Sequence, residues 1–389
     1  MHMKLRLFVP AIVLAMCSPT TAQLTPQNRS RSFAPGTCGP VDPSYIRTAE
    51  ATGGIPFFFH RTEVSAATKF MMANSGDNRV TVLWAKGSVQ GERDFLVPID
   101  SSLSNVIFTL SADNRDTKLE VFDPNNNPVS APKADVTDFT CGRYLTLKNP
   151  SSGSYRLHLT GSGHFWIKVG GKSDIFLTGV EFVELGGRPG HEGMFPIHGE
   201  PIAGKQGNFE TTVSGAAHQV AFELITPEAQ PLHSISAKVV STSADEQQFE
   251  TSLTIPREPF RIVVTGVDRA GSRFQRVHEA EFSPSTISIK PLSVSDLKPS
   301  QTTILTMNVT NLGSTDKFRV IAICGKGWST HADRNEIPLR SGESAEFKVT
   351  VAVPAGVANY TSADLIVTVT STGDPKITNS YIQRLSVGE

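Results

Sequence analysis

The sequence has almost no excess of charge of either sign. Charged residues make up 19% of the 389, and acidic and basic counts nearly cancel, to a formal net charge of −1. A surface for nucleic acid or anionic lipid needs a surplus of Lys and Arg, so neither is an expected partner. Long apolar runs are also missing. The longest, Leu7 to Met16, falls short of the ~20 residues of a membrane span, so no span is expected. From about Asn78 onward no helix-period segment of ~10 or more residues lies between the strand patterns, which argues against a parallel α/β layout. The sequence contains no nucleophile elbow, no Cys/His pair in a suitable context, no phosphate loop and no paired-carboxylate motif. Gly161-Ser162-Gly163 runs into a strand pattern, so it offers no helix N-terminus to a phosphate. No catalytic residue, no cofactor and no metal ligand is expected, and the chain does not read as an enzyme.

The N-terminus is laid out as a secretory leader. Lys4 and Arg6 form a basic region, Leu7 to Met16 an apolar one, and Thr20-Thr21-Ala22 a small-residue cleavage site, so residues 1–22 are read as a signal peptide. The expected product is secreted and extracellular. Removing the leader leaves Cys38, Cys141 and Cys324, an odd number. A Cys38–Cys141 bridge is expected, because Cys324 sits on one face of the alternating FRVIAIC pattern and reads as a buried, inert thiol. Asn28, Asn308 and Asn359 each begin an Asn-X-Ser/Thr sequon without an intervening proline and are expected glycan acceptors.

Beyond Asn78 the chain is strand and turn. VTVLW, DFLVPI, NVIFTLS, KLEVFD, YLTLKN, SYRLHLT, HFWIKV and DIFLTGVEFVE follow one another, separated by clusters of Gly, Asn, Asp, Pro and Ser. This is the pattern of a β-sandwich, taken as residues 78–185. A Gly/Pro-rich stretch from Gly186 to Gly193 reads as a linker. Two blocks of alternating strands follow, at 186–290 and 291–389, each near the size of an immunoglobulin-like sandwich. The expected fold class is mostly β: tandem antiparallel sandwiches, with a short α/β remnant in residues 23–77.

Two segments carry a family resemblance. Between Tyr45 and Phe70, YIRTAEATGGIPFFFHRTEVSAATKF resembles the last strand and helix of a von Willebrand factor A domain. It holds a helix-like stretch, a turn at Thr52-Gly53-Gly54, an apolar strand through Phe57 to Phe59 and a second helix-like stretch. The residues before Tyr45 are too few for the metal-binding front half, so the resemblance implies a remnant without the metal. With no neighbouring strands to join, Ile55, Phe57 and Phe59 are expected to dock on the first sandwich, clamped by the Cys38 bridge. DSSLSNVIFTLSADNRDTKLEVFDPNNNPV and the YLTLKN to VEFV region resemble the sandwich that follows the A domain in the hemicentin and von Willebrand factor A domain-containing protein 7 families. The resemblance implies a galactose-binding-like, jelly-roll-like first module and Ig-like modules after it.

Asp100-Ser101-Ser102-Leu103-Ser104 spells the DxSxS pattern with which A domains start a cation site. Here it follows the Thr-Gly-Gly segment instead of preceding it and leads into a strand, so it reads as an ordinary turn. His191 and His198, with Glu192 and Glu200, fall in the Gly/Pro stretch at no recognised zinc spacing. His158 and His164 read as a cross-strand surface pair, and Trp84, Trp166 and Trp328 as core. The expected function is extracellular adhesion or interaction, with a matrix or cell-surface protein as partner. The alternative is a lectin-like module with a glycan ligand. Oligomeric state stays open.

Overall fold

A computed structural model describes residues 38, 42–187, 190–293 and 297–388. The leader at 1–22 and the Asn28 sequon lie outside the described residues. The chain divides into two units. One takes the chain up to Val180 with Glu210–Thr251 and Phe260–Glu281; the other takes Glu181–Phe209, Ser252–Pro259 and Phe282–Glu389.

The first unit begins with helix α1 (Pro43–Ala51), where Pro43 sits in the first turn and the Asp42 side chain accepts from the Ser44 amide at 2.8 Å. A single 3-10 turn at Arg61–Glu63 leads into α2 (Val64–Asn74). Between the helices, residues 55–60 run without strand hydrogen bonds. The strand expected through Phe57, Phe58 and Phe59 is therefore not formed, because no parallel neighbour pairs with it among the described residues.

The first module then builds β1 (Arg79–Ile99), β2 (Ser104–Ala112), β3 (Lys118–Phe122), β4 (Asp135–Phe139), β5 (Gly142–Leu147) and β6 (Gly153–Lys172). They form an antiparallel sheet in the order β1-β6-β2-β5-β4, with β3 also paired to β6. VTVLW and DFLVPI are one strand, not two, and so are SYRLHLT and HFWIKV. Gly91 in β1 and Gly161 and Gly163 in β6 lie at positive φ, opposite one another where Gly91 pairs with Gly161, so the two strands bend together without ending. The N-terminal half of β6 pairs with β3 and its C-terminal half with β2. One long sheet thereby folds over its own core, which is filled by Val97, Phe108, Leu157, Phe165 and Ile167 among others.

The middle stretch holds β7 (Phe176–Gly186), β8 (Gly193–Pro196), β9 (Gln206–Ser214), β10 (His218–Ile225), β11 (Pro231–Ile235), β12 (Ala237–Thr242), β13 (Glu246–Thr254), β14 (Arg261–Val267) and β15 (Arg273–Val277). One sheet runs β11-β10-β14-β15 and belongs to the first unit; the other runs β12-β13-β9-β7-β8. Strand β7, read from sequence as the close of the first sandwich, is a member of this second sheet. A strand pattern tells which face is buried and says nothing of which sheet supplies the partner.

The last module holds β16 (Ile287–Pro291), β17 (Thr302–Asn311), β18 (Asp316–Cys324), β19 (Ser329–Ala332), β20 (Glu336–Leu339), β21 (Ser344–Ala352), β22 (Ser362–Ser371) and β23 (Thr378–Ser386). Its sheets, β16-β17-β21-β19 and β20-β18-β22-β23, face one another across a core containing Leu305, Phe318, Trp328, Phe347, Val367 and Leu385. This is the two-sheet plan of an Ig-like sandwich. The module lies wholly in the second unit.

Candidate functional site

Asp100, at the head of the Asp100-Ser101-Ser102 turn between β1 and β2, is buried, and a cationic side chain is already seated on it. The Arg276 side chain on β15 donates from Nη1 to Asp100 Oδ2 at 2.7 Å and from Nη2 to Asp100 Oδ1 at 3.1 Å, with both residues at most 1% exposed. The same guanidinium donates to Ser102 Oγ (3.0 Å), Ser173 Oγ (2.8 Å) and the Ile175 and Gln275 carbonyls. Ser102 donates to Asp100 Oδ1 through both its amide and its hydroxyl. Every hydrogen-bonding direction of the fork is met, which is the condition under which a buried ion pair is tolerated. The inter-strand turn expected here is formed, and through Asp100 it also makes a buried clasp between the first module and β15. Its neighbour Ser101 donates from its amide and hydroxyl to Asp268 Oδ2 at 2.8 and 2.6 Å. Burial works against the Asp268 charge, but these bonds and those from Ser272 and Ala270 outweigh it and hold the carboxyl below its usual range.

A second cluster joins the N-terminal segment to the outer face of β1 and β6 and to the end of β15. Trp84 and Trp166 are buried there with Ile55, Phe58 and Val263. Trp166 Nε1 donates to Glu50 Oε1 at 2.8 Å, and Trp84 Nε1 to the Gly54 carbonyl at 3.3 Å. Lys86 bridges Glu50 and Glu281 at 3.0 and 3.1 Å. Lys168 donates to Glu279 Oε1 and to the Gly53 carbonyl, both at 3.0 Å. Desolvation opposes the Glu279 charge, and Lys168 and Thr81 overcome it, so the carboxyl titrates lower than usual. Burial brings the Arg261 guanidinium down to about 10 despite Glu281, Glu279 and Glu50 nearby. Gly53, at φ +73°, lies so close to Glu279 that a Cβ there would overlap its side chain and carbonyl.

The N-terminal segment is therefore docked on the first module through Ile55, Phe57 and Phe59, the residues read from sequence, and through Phe58 as well. Phe58 is buried on the tryptophan side with Ile55, while Phe57 and Phe59 pack on the other side against Phe70, Phe139 and Tyr144. Without sheet pairing the extended chain is free to bury side chains on both sides. A disulfide joins Cys38 to Cys141 with a Cα separation of 6.1 Å. Glu63 adds a polar tie: Oε1 accepts from the amide and hydroxyl of Thr140, both at 2.6 Å.

The first unit also contains an open cleft of about 650 Å³. One wall is Pro98, Ser152, Gly153 and Ser154 at the β1–β6 end; the other is Gln219 with Thr265 to Val267 and Ser272 to Gln275. Nothing in the sequence flagged it, since its walls come from segments distant from one another along the chain.

The remaining expected residues stay separate. His158 and His164 lie on one strand, β6, and not on neighbouring strands: His158 Nδ1 is 2.7 Å from Asp94 Oδ1, and His164 Nδ1 is 2.9 Å from Ser88 Oγ. His198 packs on Tyr381 with ring centroids 4.8 Å apart, Glu192 accepts from the Gly190 amide, and Glu200 accepts from the Ser283 amide. Cys324 is free and buried. Asn308 is half-buried on β17, with Nδ2 3.4 Å from Thr310 Oγ1, and Asn359 is exposed in a turn. Trp328 belongs to the core of the last module. No helix among the described residues is long and apolar enough to cross a membrane.

The fold and the clasped junctions define a modular β-sandwich protein. Residues 79–174 match the family described as hemicentin galactose-binding domain-like, and residues 286–388 match the one described as VWA7 Ig-like domain. The chain is 22% identical over 258 residues to hemicentin-2 of Mus musculus, a match that covers 64% of this chain and 5% of that protein. It is thus similar to hemicentins and to the VWA7-type Ig-like module, and it spans a small fraction of the length of the curated relative it matches. Both matched families are non-catalytic binding or Ig-like modules. Among solved structures, Escherichia coli alpha-2-macroglobulin activated by porcine elastase is 10% identical, covering 78% of this chain and 33% of that one, with a TM-score of 0.25. The mouse nectin-like molecule 4 ectodomain is 8% identical, covering 74% and 95%, with a TM-score of 0.18. These scores are too low for a common overall arrangement.

Proposed function

We propose that this chain is a secreted, extracellular interaction protein that binds a matrix or cell-surface partner and catalyses nothing. The observation that carries the reading is the pair of matched modules, hemicentin-type at 79–174 and VWA7-type at 286–388, in one chain behind a leader-like N-terminus. The buried Asp100–Arg276 clasp supports it, because a module held rigidly against its neighbour presents loops and strand faces in a fixed geometry, and preorganisation lowers the cost of binding. Asn308 and Asn359 are proposed glycan acceptors on the same extracellular grounds, and the module limits are proposed to fall near residues 78, 174 and 286. The test is expression of the full chain in a secretory host. Processing near Ala22 and saturable adhesion of cells or matrix preparations to the immobilised product are expected. Retention inside the cell, or failure to bind any such surface, overturns it. A glycan as ligand is the second reading, favoured by the open cleft in the first unit, whose lining mixes hydroxyl and amide side chains with apolar surface.

A further inference from the structure

The cleft between the β1–β6 end and the β14–β15 hairpin carries a charge that the fold does not use. Arg273 lines it, is exposed, and its side chain makes no hydrogen bond or ion pair among the described residues. No Asp or Glu lines the cleft. The one carboxylate on the adjoining turn, Asp268, is buried and engaged by Ser101, Ala270 and Ser272, so it does not neutralise Arg273. A guanidinium left unpaired in a concavity is a bidentate donor for a carboxylate or sulfate oxygen pair.

The rest of the lining suits a sugar better than a peptide. Ser154, Gln219 and Thr265 contribute hydroxyl and amide groups, which both donate and accept, as the hydroxyls of a saccharide require. Pro98, opposite Ser154 in the β1–β6 register, gives an apolar surface to the C–H face of a pyranose ring. Gln219 lines the cleft from a position that departs from regular sheet geometry. It lies where the β10–β14 register slips between His218 and Ala221, and its backbone is held at φ +51°, a conformation that a side chain adopts at a cost. Opposite that bulge Gly266 has no side chain; a Cβ there would meet the Phe274 ring and the His218 carbonyl. The volume of about 650 Å³ lies within the range of small-ligand sites and accommodates a short oligosaccharide rather than a long polyanion. That limit agrees with a chain whose net charge is −1.

We infer that this cleft binds a short acidic saccharide, whose carboxylate pairs with Arg273 while its hydroxyls bond Gln219, Thr265 and Ser154. The inference rests on the binding role proposed above and specifies one ligand class for it.

The test uses the full chain and isothermal titration with a tetrasaccharide containing glucuronic acid, beside its carboxyl-reduced counterpart and an acidic peptide of equal charge. Saturable binding of the acidic sugar is expected, weakened at least tenfold by carboxyl reduction, by Arg273→Ala and by Gln219→Ala. Arg269→Ala, on the same turn but outside the lining, is expected to leave binding unchanged. Thermal unfolding of each variant separates loss of binding from loss of fold, and Arg273→Lys, which keeps the charge without the fork, is expected to recover only part of the affinity. No binding of the acidic sugar, equal binding of the reduced sugar, insensitivity to Arg273→Ala in a folded variant, or preference for the acidic peptide each overturns the inference. Cell adhesion that persists in Arg273→Ala alongside failed sugar binding would sink the saccharide site and leave the broader interaction role standing.

Discussion

The Arg261 guanidinium lies over the face of Trp84, 3.6 Å from the ring centroid, with both side chains wholly buried. Arg261 Nη1 donates to the Glu279 carbonyl, while Nε and Nη2 have no hydrogen-bond partner. Glu281 Oε2, at 3.6 Å from Nη2, supplies the nearest opposite charge. The aromatic face thus stands in for donors and acceptors that the site does not provide, an arrangement worth ~2 kcal/mol when desolvated. Trp84→Leu is expected to destabilise the first unit by more than the lost apolar area alone, because it strands that charge. Arg261→Met, of similar length and uncharged, is expected to recover part of the loss in the Trp84→Leu background; strict additivity in a double-mutant cycle of denaturant unfolding would show that the two do not couple.

The clasp at Asp100 makes a sharper case. Arg276→Ala leaves a buried carboxylate unpaired, and loss of ~3–5 kcal/mol is expected for the first unit by chemical denaturation. The double replacement Asp100→Leu with Arg276→Met is expected to lose much less, since no unpaired charge remains. In the unaltered protein Arg276 already occupies both oxygens of Asp100 and the Ser102 hydroxyl. Titration with magnesium, manganese or calcium is accordingly expected to give no specific heat; a micromolar site abolished by Asp100→Ala would contradict this geometry.

The Cys38–Cys141 bridge closes a sequence separation of 103 residues. In the chain-entropy account, replacing both cysteines with serine is expected to cost ~2–4 kcal/mol and to loosen the N-terminal segment first. Hydrogen exchange should report this as faster exchange through 42–74 with the β1–β6 pairing intact. Cys324 is expected to resist alkylation until the last module unfolds, so labelling of the native protein at the rate of a free thiol would argue against its burial.

Acid should act on the first unit through His278. Burial and the neighbouring Arg261 lower its imidazole from 6.5 to about 4, so the folded protein keeps it neutral where an unfolded chain would take a proton. A depressed pKa contributes stability above the unfolded value and loses it as pH falls through the folded one. Stability is therefore expected to decline between pH 6.5 and about 4, by an amount on the order of 3 kcal/mol. Glu279 and Asp268, also lowered, extend the decline below the ordinary carboxylate range. His278→Gln should flatten the upper part of the curve of unfolding free energy against pH. An unchanged slope in that window would show that His278 does not set it.

Gly53 offers a local test of the docked segment. Ala at this position meets both a left-handed backbone and the side chain of Glu279, and a loss of ~1–3 kcal/mol is expected. Thermal unfolding of Gly53→Ala equal to the parent would mean that the Thr52-Gly53-Gly54 turn is not held against Glu279.

The sequence by itself determined the local grammar of this protein. Alternation in FRVIAIC put Cys324 inward, the spacing of Gly, Asn and Pro clusters gave sandwich modules, and a helix–turn–helix outline marked Tyr45 to Phe70, because side-chain period and turn chemistry are properties of neighbouring residues. The RFQRV segment even placed Arg276 on the face of buried Phe274, a charge at a core position that a stricter reading of the same alternation would have flagged. Only the tertiary structure decided where those faces went. It assigned β7 to the second sheet, merged four strand patterns into β1 and β6, turned the Asp100 loop into a clasp and opened the cleft around Arg273. Each of these depends on which distant segment arrives opposite a given residue, and that pairing is fixed by the packing of whole sheets, which no stretch of contiguous sequence specifies.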